Sequence, residues 1–276
     1  MSAPKRRIMW FRRDLRIADN PALLEAIAAA DEIVAVFILD KHLINGAGSK
    51  RLAYLGQSLR ALDASLAHSL HVMVGDQIDV LQDLMQRYNA DCVHISTEFE
   101  PYGAARDARV EAAGIPLLRT GSPYAVAPGR VVKSSDATPY KVYTPFYRAW
   151  SLHGWRKPAV TPKNIKCVMP TESDRNFPDW PLPDGAIITA AGEVAALARW
   201  KYFQENGLDN YDEARNLAGI DGTSKLSAHL KWGEIHPRTL LAQLGESKAH
   251  DTFRKEIAWR EFYADVLQPS PSLPAA

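Results

Sequence analysis

RIMWFRRDLRIADNPAL, residues 7–23, contains the three parts that recur through the first half of the chain. Its first five residues are mostly apolar, which predicts a short buried β-strand. The polar run RRDLR follows at once. Asp19, Asn20 and Pro21 then supply capping side chains and a proline, the usual beginning of a helix. The stretch therefore predicts a strand, a polar loop at its carboxyl end, and a helix.

The same alternation continues as far as residue 118. Further strands are predicted at 32–39, 71–74, 92–96 and 116–118, and helices at 21–30, 50–69, 78–88 and 102–113. Apolar strands that alternate with amphipathic helices indicate a doubly wound, Rossmann-like parallel sheet covered on both faces. Ligands of such sheets bind at the carboxyl ends of the strands. We therefore expect one crevice there, surrounded by RRDLR, Asp40, Gly75, Asp76 and residues 97–100.

The character of the sequence changes after residue 128. Residues 129–191 are rich in proline, glycine and serine and have little periodicity, which is typical of a connector between domains. From residue 192 onward the spacing of apolar residues is helical, and no further strand is predicted. The chain is thus divided into an α/β domain over 1–128, a connector over 129–191, and the beginning of an all-α domain over 192–276.

Composition narrows the class of protein. The 276 residues carry 33 Lys and Arg against 32 Asp and Glu, so no global positive field recruits nucleic acid and any such contact must come from a local patch. The two cysteines, Cys92 and Cys167, have no disulfide or zinc spacing, and no metal site is expected. No apolar run approaches the length of a membrane span. We expect a cytoplasmic protein with no membrane partner.

A candidate anion site lies in DGTSKLSAHLKWGEIHPR, residues 221–238. Thr223 and Ser224 place hydroxyl groups next to the cation of Lys225, just before a helical apolar pattern. Unpaired backbone N–H groups and the helix dipole make such a terminus favourable for an anion. The alternative is an ordinary N-cap without a ligand.

A second unusual helix is predicted in FRKEIAWREFYADVL, residues 253–267. Glu256, Trp259, Arg260 and Tyr263 fall on one face, while apolar residues cover two other sides. Only a narrow stripe is then left for water, formed by Arg254, Glu261 and Asp265. Charged groups on an enclosed helix are costly unless they are paired or face a ligand. The alternative to a ligand site is a salt-bridged core helix in which Glu256 and Arg260 form an ordinary i,i+4 pair.

Five motifs together resemble the photolyase/cryptochrome family. They are WFRRDLRIADNPAL (10–23), EFEPYGAARD (98–107), PYKVYTPFYRAW (139–150), TSKLSAHLKWGEIHPR (223–238) and EIAWREFY (256–263). The resemblance extends from about residue 7 to residue 267. It implies that the α/β domain holds a light-harvesting antenna chromophore and that the helical domain holds FAD.

The resemblance also implies the residues that contact FAD. They are Tyr211, Thr223, Ser224, Lys225, Leu226, Ser227 and Arg260, with the hydroxyl groups and the helix start taking the phosphates. Lys225 stands where the family commonly has arginine, so it offers a point charge without the planar fork of a guanidinium group.

The activity implied is light-dependent repair of cyclobutane pyrimidine dimers in DNA by electron transfer from reduced FAD. Glu256 and Trp259 match the residues that line the pocket for the flipped dimer, with Glu256 as a candidate stabiliser of the dimer radical anion. Arg215 matches a contact to the DNA backbone, and Tyr263 lies on the same DNA-binding face. An indole offers extruded bases a stacking surface, and a carboxyl group can hydrogen-bond to a base edge.

The antenna residues implied by the resemblance are Glu98 and Glu100, which match a folate (methenyltetrahydrofolate) contact in some members. Other members bind a deazaflavin or no visible antenna. The alternative is that both are exposed loop acids.

The helical domain of the family continues for well over a hundred residues beyond residue 267, so the sequence is expected to be truncated. We expect a monomer if the chain is complete, and otherwise aggregation or a helper chain because Ile257, Phe262 and Leu267 would be exposed. Besides repair, two hypotheses stay open: a cryptochrome-like flavin photoreceptor without repair, and a non-catalytic remnant.

Overall fold

The computed structural model of the protein describes residues 4–267. One parallel sheet contains five strands in the order β3-β2-β1-β4-β5. They are β1 (Arg6–Phe11), β2 (Glu32–Leu39), β3 (His71–Val74), β4 (Ala90–Ile95) and β5 (Leu117–Arg119). The doubly wound parallel sheet predicted from the sequence is confirmed, and every predicted strand lies within two residues of its observed bounds.

Five helices accompany the strands. They are α1 (Pro21–Ala29), α2 (Lys41–Asn45), α3 (Ser49–Ser65), α4 (Gln77–Tyr88) and α5 (Pro101–Ala112). Because successive side chains of a strand point to opposite faces, β1 contributes to two cores. Met9 and Phe11 pack with α1 and α3, whereas Ile8 and Trp10 pack with α4 and α5. The cap before α1 forms as predicted, since the Asn20 side chain accepts a hydrogen bond from Leu23 N at 3.2 Å.

The predicted connector contains a helix that its composition did not reveal. This helix, α6 (Tyr143–His153), buries Phe146 and Trp150 in the core of the helical half. Residues 154–192 otherwise have little regular structure, yet part of this segment pairs with the start of β2, ahead of the residues that pair with β3. Ile33 N donates to Lys166 O, and Val168 N donates to Ile33 O, each at 2.9 Å.

The last part of the described chain is mainly helical. It comprises α7 (Glu193–Asn206), α8 (Tyr211–Ala214), α9 (Ser227–Trp232), α10 (Pro237–Leu241) and α11 (Lys248–Leu267). The expectation that Ile257 and Phe262 would be exposed is wrong, because both are buried in the same apolar cluster as Trp150 and Phe253. Leu267 is exposed as expected. Residues 268–276, which close the predicted helical domain, lie outside the described residues.

The stripe of α11 that was expected to face water is also largely buried. The side chains of Glu261 and Asp265 are only 2% and 6% exposed, because the loop at 125–129 covers them. Glu261 accepts hydrogen bonds from the Trp150 indole Nε1 at 2.7 Å and from the amide of Val126 at 3.0 Å. Burial raises the pKa of Glu261 to about 7, although these hydrogen bonds oppose the shift. Arg254 alone of the three is partly exposed.

No helix within residues 4–267 combines the length and the apolar character needed to cross a membrane.

Candidate functional site

A cavity of about 780 Å³ lies between α8, the segment 223–231 and α11. We call it the Lys225 cavity. It brings together most of the residues that the resemblance assigned to FAD, namely Tyr211, Thr223, Ser224, Lys225, Ser227 and Arg260, and it adds Glu256. Leu226 is the exception, because its side chain is buried in the helical core instead of lining the cavity.

The segment 223–227 is folded differently from the predicted helix start. Helix α9 begins only at Ser227, and its N-cap position is Leu226, which has no capping side chain. Lys225 has a left-handed backbone (φ +54°), so the chain turns before the helix. The hydroxyls of Thr223 and Ser224 therefore stand ahead of the helix and not on its first turn. Ser224 Oγ caps the turn by accepting from Leu226 N at 3.4 Å.

Arg199 fixes this segment, and sequence reasoning missed it. Its Nε donates to Ser224 O at 2.8 Å and its Nη2 donates to Thr223 O at 2.9 Å. The helical spacing of α7 gave no sign that one of its arginines would reach a loop more than twenty residues away. Because both carbonyl oxygens are engaged, the hydroxyl groups of Thr223 and Ser224 are held at the cavity wall.

Cations outnumber carboxylates in the lining of the Lys225 cavity, although Lys225 is ion-paired with Asp221 at 2.8 Å and Arg13 with Glu100. Four cations line the cavity, and Glu256 is the one carboxylate among its lining residues. The cations are Arg13, Lys225, Lys231 and Arg260, of which Arg13 and Lys231 were not predicted. Burial, together with Arg13 and Arg51, lowers the pKa of Lys231. Such a wall favours an anionic ligand.

Arg260 does not form the i,i+4 ion pair that was the alternative for α11. Its guanidinium donates to Pro123 O at 2.9 Å and lies 4.6 Å from the ring centroid of Tyr124. Burial lowers the pKa of Arg260. Glu256 pairs instead with Arg215, at 2.5 Å. The expected i,i+4 pair of Glu256 and Arg260 is therefore wrong, although Glu256 still has an ion-pair partner on α11's neighbour.

Trp259 is held by aromatic neighbours beside the cavity and does not line it. Its ring stacks on Tyr143 with a centroid distance of 3.6 Å and an interplanar angle of 7°. The Tyr143 hydroxyl donates to Lys255 O at 2.8 Å, which fixes that ring in turn. Tyr263 stacks on Trp259 at 5.5 Å and is more than half exposed. The indole is therefore fixed in orientation before any ligand arrives.

The expected crevice at the carboxyl ends of the strands is present. We call it the strand-end crevice. It comprises two adjoining pockets of about 90 and 530 Å³. Their lining includes Arg12, Arg13, Asp40, Gly75, Asp76 and Glu98, which are residues of the predicted set. Arg13 also lines the Lys225 cavity, so one side chain connects the two sites.

Glu98 and Glu100 are not exposed loop acids. The Glu98 side chain is 8% exposed, lies 3.5 Å from Arg106 and lines the strand-end crevice. Glu100 pairs with Arg13 and accepts from the Tyr124 hydroxyl at 2.8 Å. Partial burial would raise the pKa of Glu100, but these two partners bring it below its usual value. Only Glu98 thus reaches the crevice, while Glu100 holds Arg13 in place.

Comparison with known proteins gives a consistent result. The family model for DNA photolyase matches residues 7–163, more than half of the chain. The deoxyribodipyrimidine photo-lyase of Synechococcus sp. strain PCC 6301 is 32% identical over 99% of this chain and 62% of its own length. An uncharacterized 31.6 kDa protein of Synechococcus sp. strain PCC 6716 is 32% identical over 92% of this chain and 98% of its own length.

The comparison with solved structures also finds a photolyase. The crystal structure of a class III photolyase from Agrobacterium tumefaciens superimposes with a TM-score of 0.82 at 32% identity, over 97% of this chain and 60% of that one. The chain thus spans about 60% of the length of the photo-lyases that it matches.

Proposed function

Since the chain belongs to the DNA photolyase family, we propose that it binds FAD in the Lys225 cavity and repairs pyrimidine dimers in DNA in the light. The observation that carries the proposal is the convergence of Thr223, Ser224 and Lys225 with Glu256 and Arg260 on one cavity. Hydroxyl groups and cations suit a pyrophosphate, and a neighbouring carboxyl and indole suit an extruded base.

The residues present fit FAD. The cavity volume of about 780 Å³ falls within the range of about 300–1,000 Å³ that is usual for such ligands. The hydroxyls of Thr223, Ser224 and Ser227 can donate to phosphate oxygens, and Lys225 can supply the charge. Leu230, Phe253 and Ile257 offer apolar surface to a flat ring. When bound, the cofactor supplies the light-driven electron transfer that opens the cyclobutane ring.

The protein's own part is to bind and orient the dimer. We assign Trp259, fixed by Tyr143, as the stacking surface for an extruded base, and Glu256 as the hydrogen-bonding partner of a base edge. Arg215 holds the Glu256 carboxylate, and that contact raises the pKa of Arg215. We assign Arg215 and the exposed Tyr263 to the DNA contact as well.

For the antenna, the proposed site is the strand-end crevice. Glu98 lines it directly, and a folate or a deazaflavin is the class of chromophore expected there. Glu100 acts indirectly, through its ion pair with Arg13.

The cofactor proposal is tested by titrating the purified chain with FAD and recording the visible spectrum. We expect a flavin-bound protein whose affinity falls at least about tenfold in Lys225→Glu, because a cation at the phosphate site becomes an anion. The matched control is Lys201→Glu, because Lys201 is an exposed lysine on α7 that does not line the cavity. A folded chain that takes up no FAD, or an equal loss in both variants, would contradict the proposal.

Repair is tested separately with Glu256→Ala. We expect light-dependent repair of a thymine-dimer oligonucleotide to fall at least about tenfold, since the variant loses a hydrogen bond to the base, while FAD affinity changes by less than about threefold. Glu246→Ala, an exposed acid beyond the cavity lining, is the control. Loss of FAD in Glu256→Ala would contradict the assignment. A wild-type chain that holds FAD and repairs nothing would favour a flavin photoreceptor.

A further inference from the structure

A third cavity of about 840 Å³ opens beside the Lys225 cavity and has a different lining. We call it the α6-end cavity. Three segments line it, at 97–99, 119–130 and 153–156, together with Arg238. Tyr124 belongs to its wall, and the Arg260 guanidinium that lies over this ring belongs to the wall of the Lys225 cavity. The two cavities share no lining residue, and neither does the strand-end crevice share one with the α6-end cavity.

The lining of the α6-end cavity carries positive charge only. It contains four arginines, Arg119, Arg130, Arg156 and Arg238, and no Asp or Glu. Arg238 is 8% exposed and is anchored by Asp19 at 2.7 Å. Arg119 pairs with Glu111. The guanidinium groups of Arg130 and Arg156, in contrast, form no ion pair or hydrogen bond with any residue in the described range 4–267.

Aromatic rings are interleaved with these cations. Trp155 is partly buried and packs on Trp150 at a centroid distance of 4.5 Å. Phe99 and Tyr124, from the other two segments, meet edge to face at 6.3 Å. A cavity that combines flat rings with unpaired guanidinium groups suits a ligand that has both a planar ring and a phosphate chain, because arginine binds phosphate through two parallel N–H bonds and rings stack on bases.

We propose that the α6-end cavity binds a nucleoside polyphosphate, with its phosphates on Arg130 and Arg156 and its base against Trp155. The cavity volume suits a ligand of that size. Cations and aromatic rings from three separate segments line the cavity, which suits a compact ligand that has both a ring and phosphates. The site is independent of the flavin proposal, since it uses none of the same residues.

The experiment is calorimetric titration of the full chain with ATP, tripolyphosphate and adenosine. We expect ATP to bind most tightly and adenosine most weakly. Arg130→Glu and Arg156→Glu should each weaken ATP binding at least about tenfold. Arg148→Glu is the matched control, because Arg148 is exposed on α6, outside the cavity, and its substitution changes the charge equally. Trp155→Ala should weaken ATP and leave tripolyphosphate unchanged.

Three results would overturn the proposal. An equal loss in Arg148→Glu would show that ATP responds to overall charge. Loss of ATP binding in Lys225→Glu, with Arg130→Glu unaffected, would place the ATP in the Lys225 cavity. Tighter binding of a short single-stranded oligonucleotide than of ATP, with the same dependence on Arg130 and Arg156, would assign the cavity to a nucleic acid.

Discussion

Gly233→Ala will lower the free energy of unfolding by about 3 kcal/mol or more, and FAD affinity will fall with it. Gly233 follows the end of α9 in a left-handed conformation (φ +67°), which terminates the helix. A Cβ atom at this position would collide with the backbone carbonyl of Arg13. A backbone obstacle cannot rotate away, so one of the two segments must move.

The displaced segments carry both candidate sites. Leu15 N donates to Trp232 O, and Arg16 Nη1 donates to Gly233 O, each at 3.0 Å, so the loop after β1 is docked on the end of α9. Arg13, in this loop, lines the Lys225 cavity as well as the strand-end crevice. A shift at Gly233 therefore alters the wall of both.

Gly114→Ala is the control for backbone strain. Gly114 also has a positive φ, +83°, but a Cβ there would meet open space. Gly114→Ala should lower the free energy of unfolding by only about 1 kcal/mol, because alanine is strained in the left-handed conformation. Urea unfolding of the two variants, with an FAD titration of each, measures the difference. Equal losses would mean that conformation and not collision decides the effect, and would refute the docking argument.

The sequence was informative wherever a periodic pattern stayed within one element. The strands were predictable because parallel strands covered on both faces are continuously apolar, as in EIVAVFIL at 32–39. The face of α11 that joins Glu256 to Arg260 followed from helical spacing alone. The roles of Glu256 and Arg260 toward FAD and DNA did not follow from this spacing. They were implied only by the resemblance to a family.

The features that could not be predicted depend on contacts between segments that are far apart in the sequence. Glu261 and Asp265 looked solvated because their cover, the loop at 125–129, is more than a hundred residues away in the chain. Arg199 contacts the segment 223–227 through the backbone carbonyl oxygens of Thr223 and Ser224, which have no sequence signature. The left-handed turn at Lys225 is disfavoured for lysine, so local propensity predicted a helix start there instead.

Glu234→Ala should be the second strongly destabilising change, with a loss of about 3–5 kcal/mol. Glu234 is fully buried and joins the two halves of the molecule. Its carboxylate accepts from the Tyr54 hydroxyl and Ser58 Oγ of α3, each at 2.6 Å, and from Gly192 N before α7 at 2.7 Å. His229 Nδ1 lies 2.6 Å away. Removing the acceptor leaves buried donors without partners, which costs more than the bonds contribute when made.

The size of the loss in related variants identifies its cause. Tyr54→Phe removes one donor and leaves the carboxylate three partners, so it should cost only about 1–1.5 kcal/mol. Glu234→Gln keeps one acceptor oxygen but turns an amide NH₂ toward groups that already donate. Its loss in the free energy of unfolding should therefore lie between those of Tyr54→Phe and Glu234→Ala. Burial and Glu234 both raise the pKa of Tyr54, which keeps its hydroxyl a donor throughout the neutral range.

A double-mutant cycle in urea between Tyr54→Phe and Glu234→Ala decides whether the network acts as a unit. We expect a coupling of about 1 kcal/mol or more, because the two side chains share a buried hydrogen bond. Strictly additive losses would mean that Glu234 stabilises the fold without acting through Tyr54. Since α9 carries Ser227 and Ala228 of the Lys225 cavity, a coupled network also predicts weaker FAD binding in Glu234→Ala than in Tyr54→Phe. Unchanged FAD affinity in both variants would show that the hydrogen-bond network of Glu234 does not influence the Lys225 cavity.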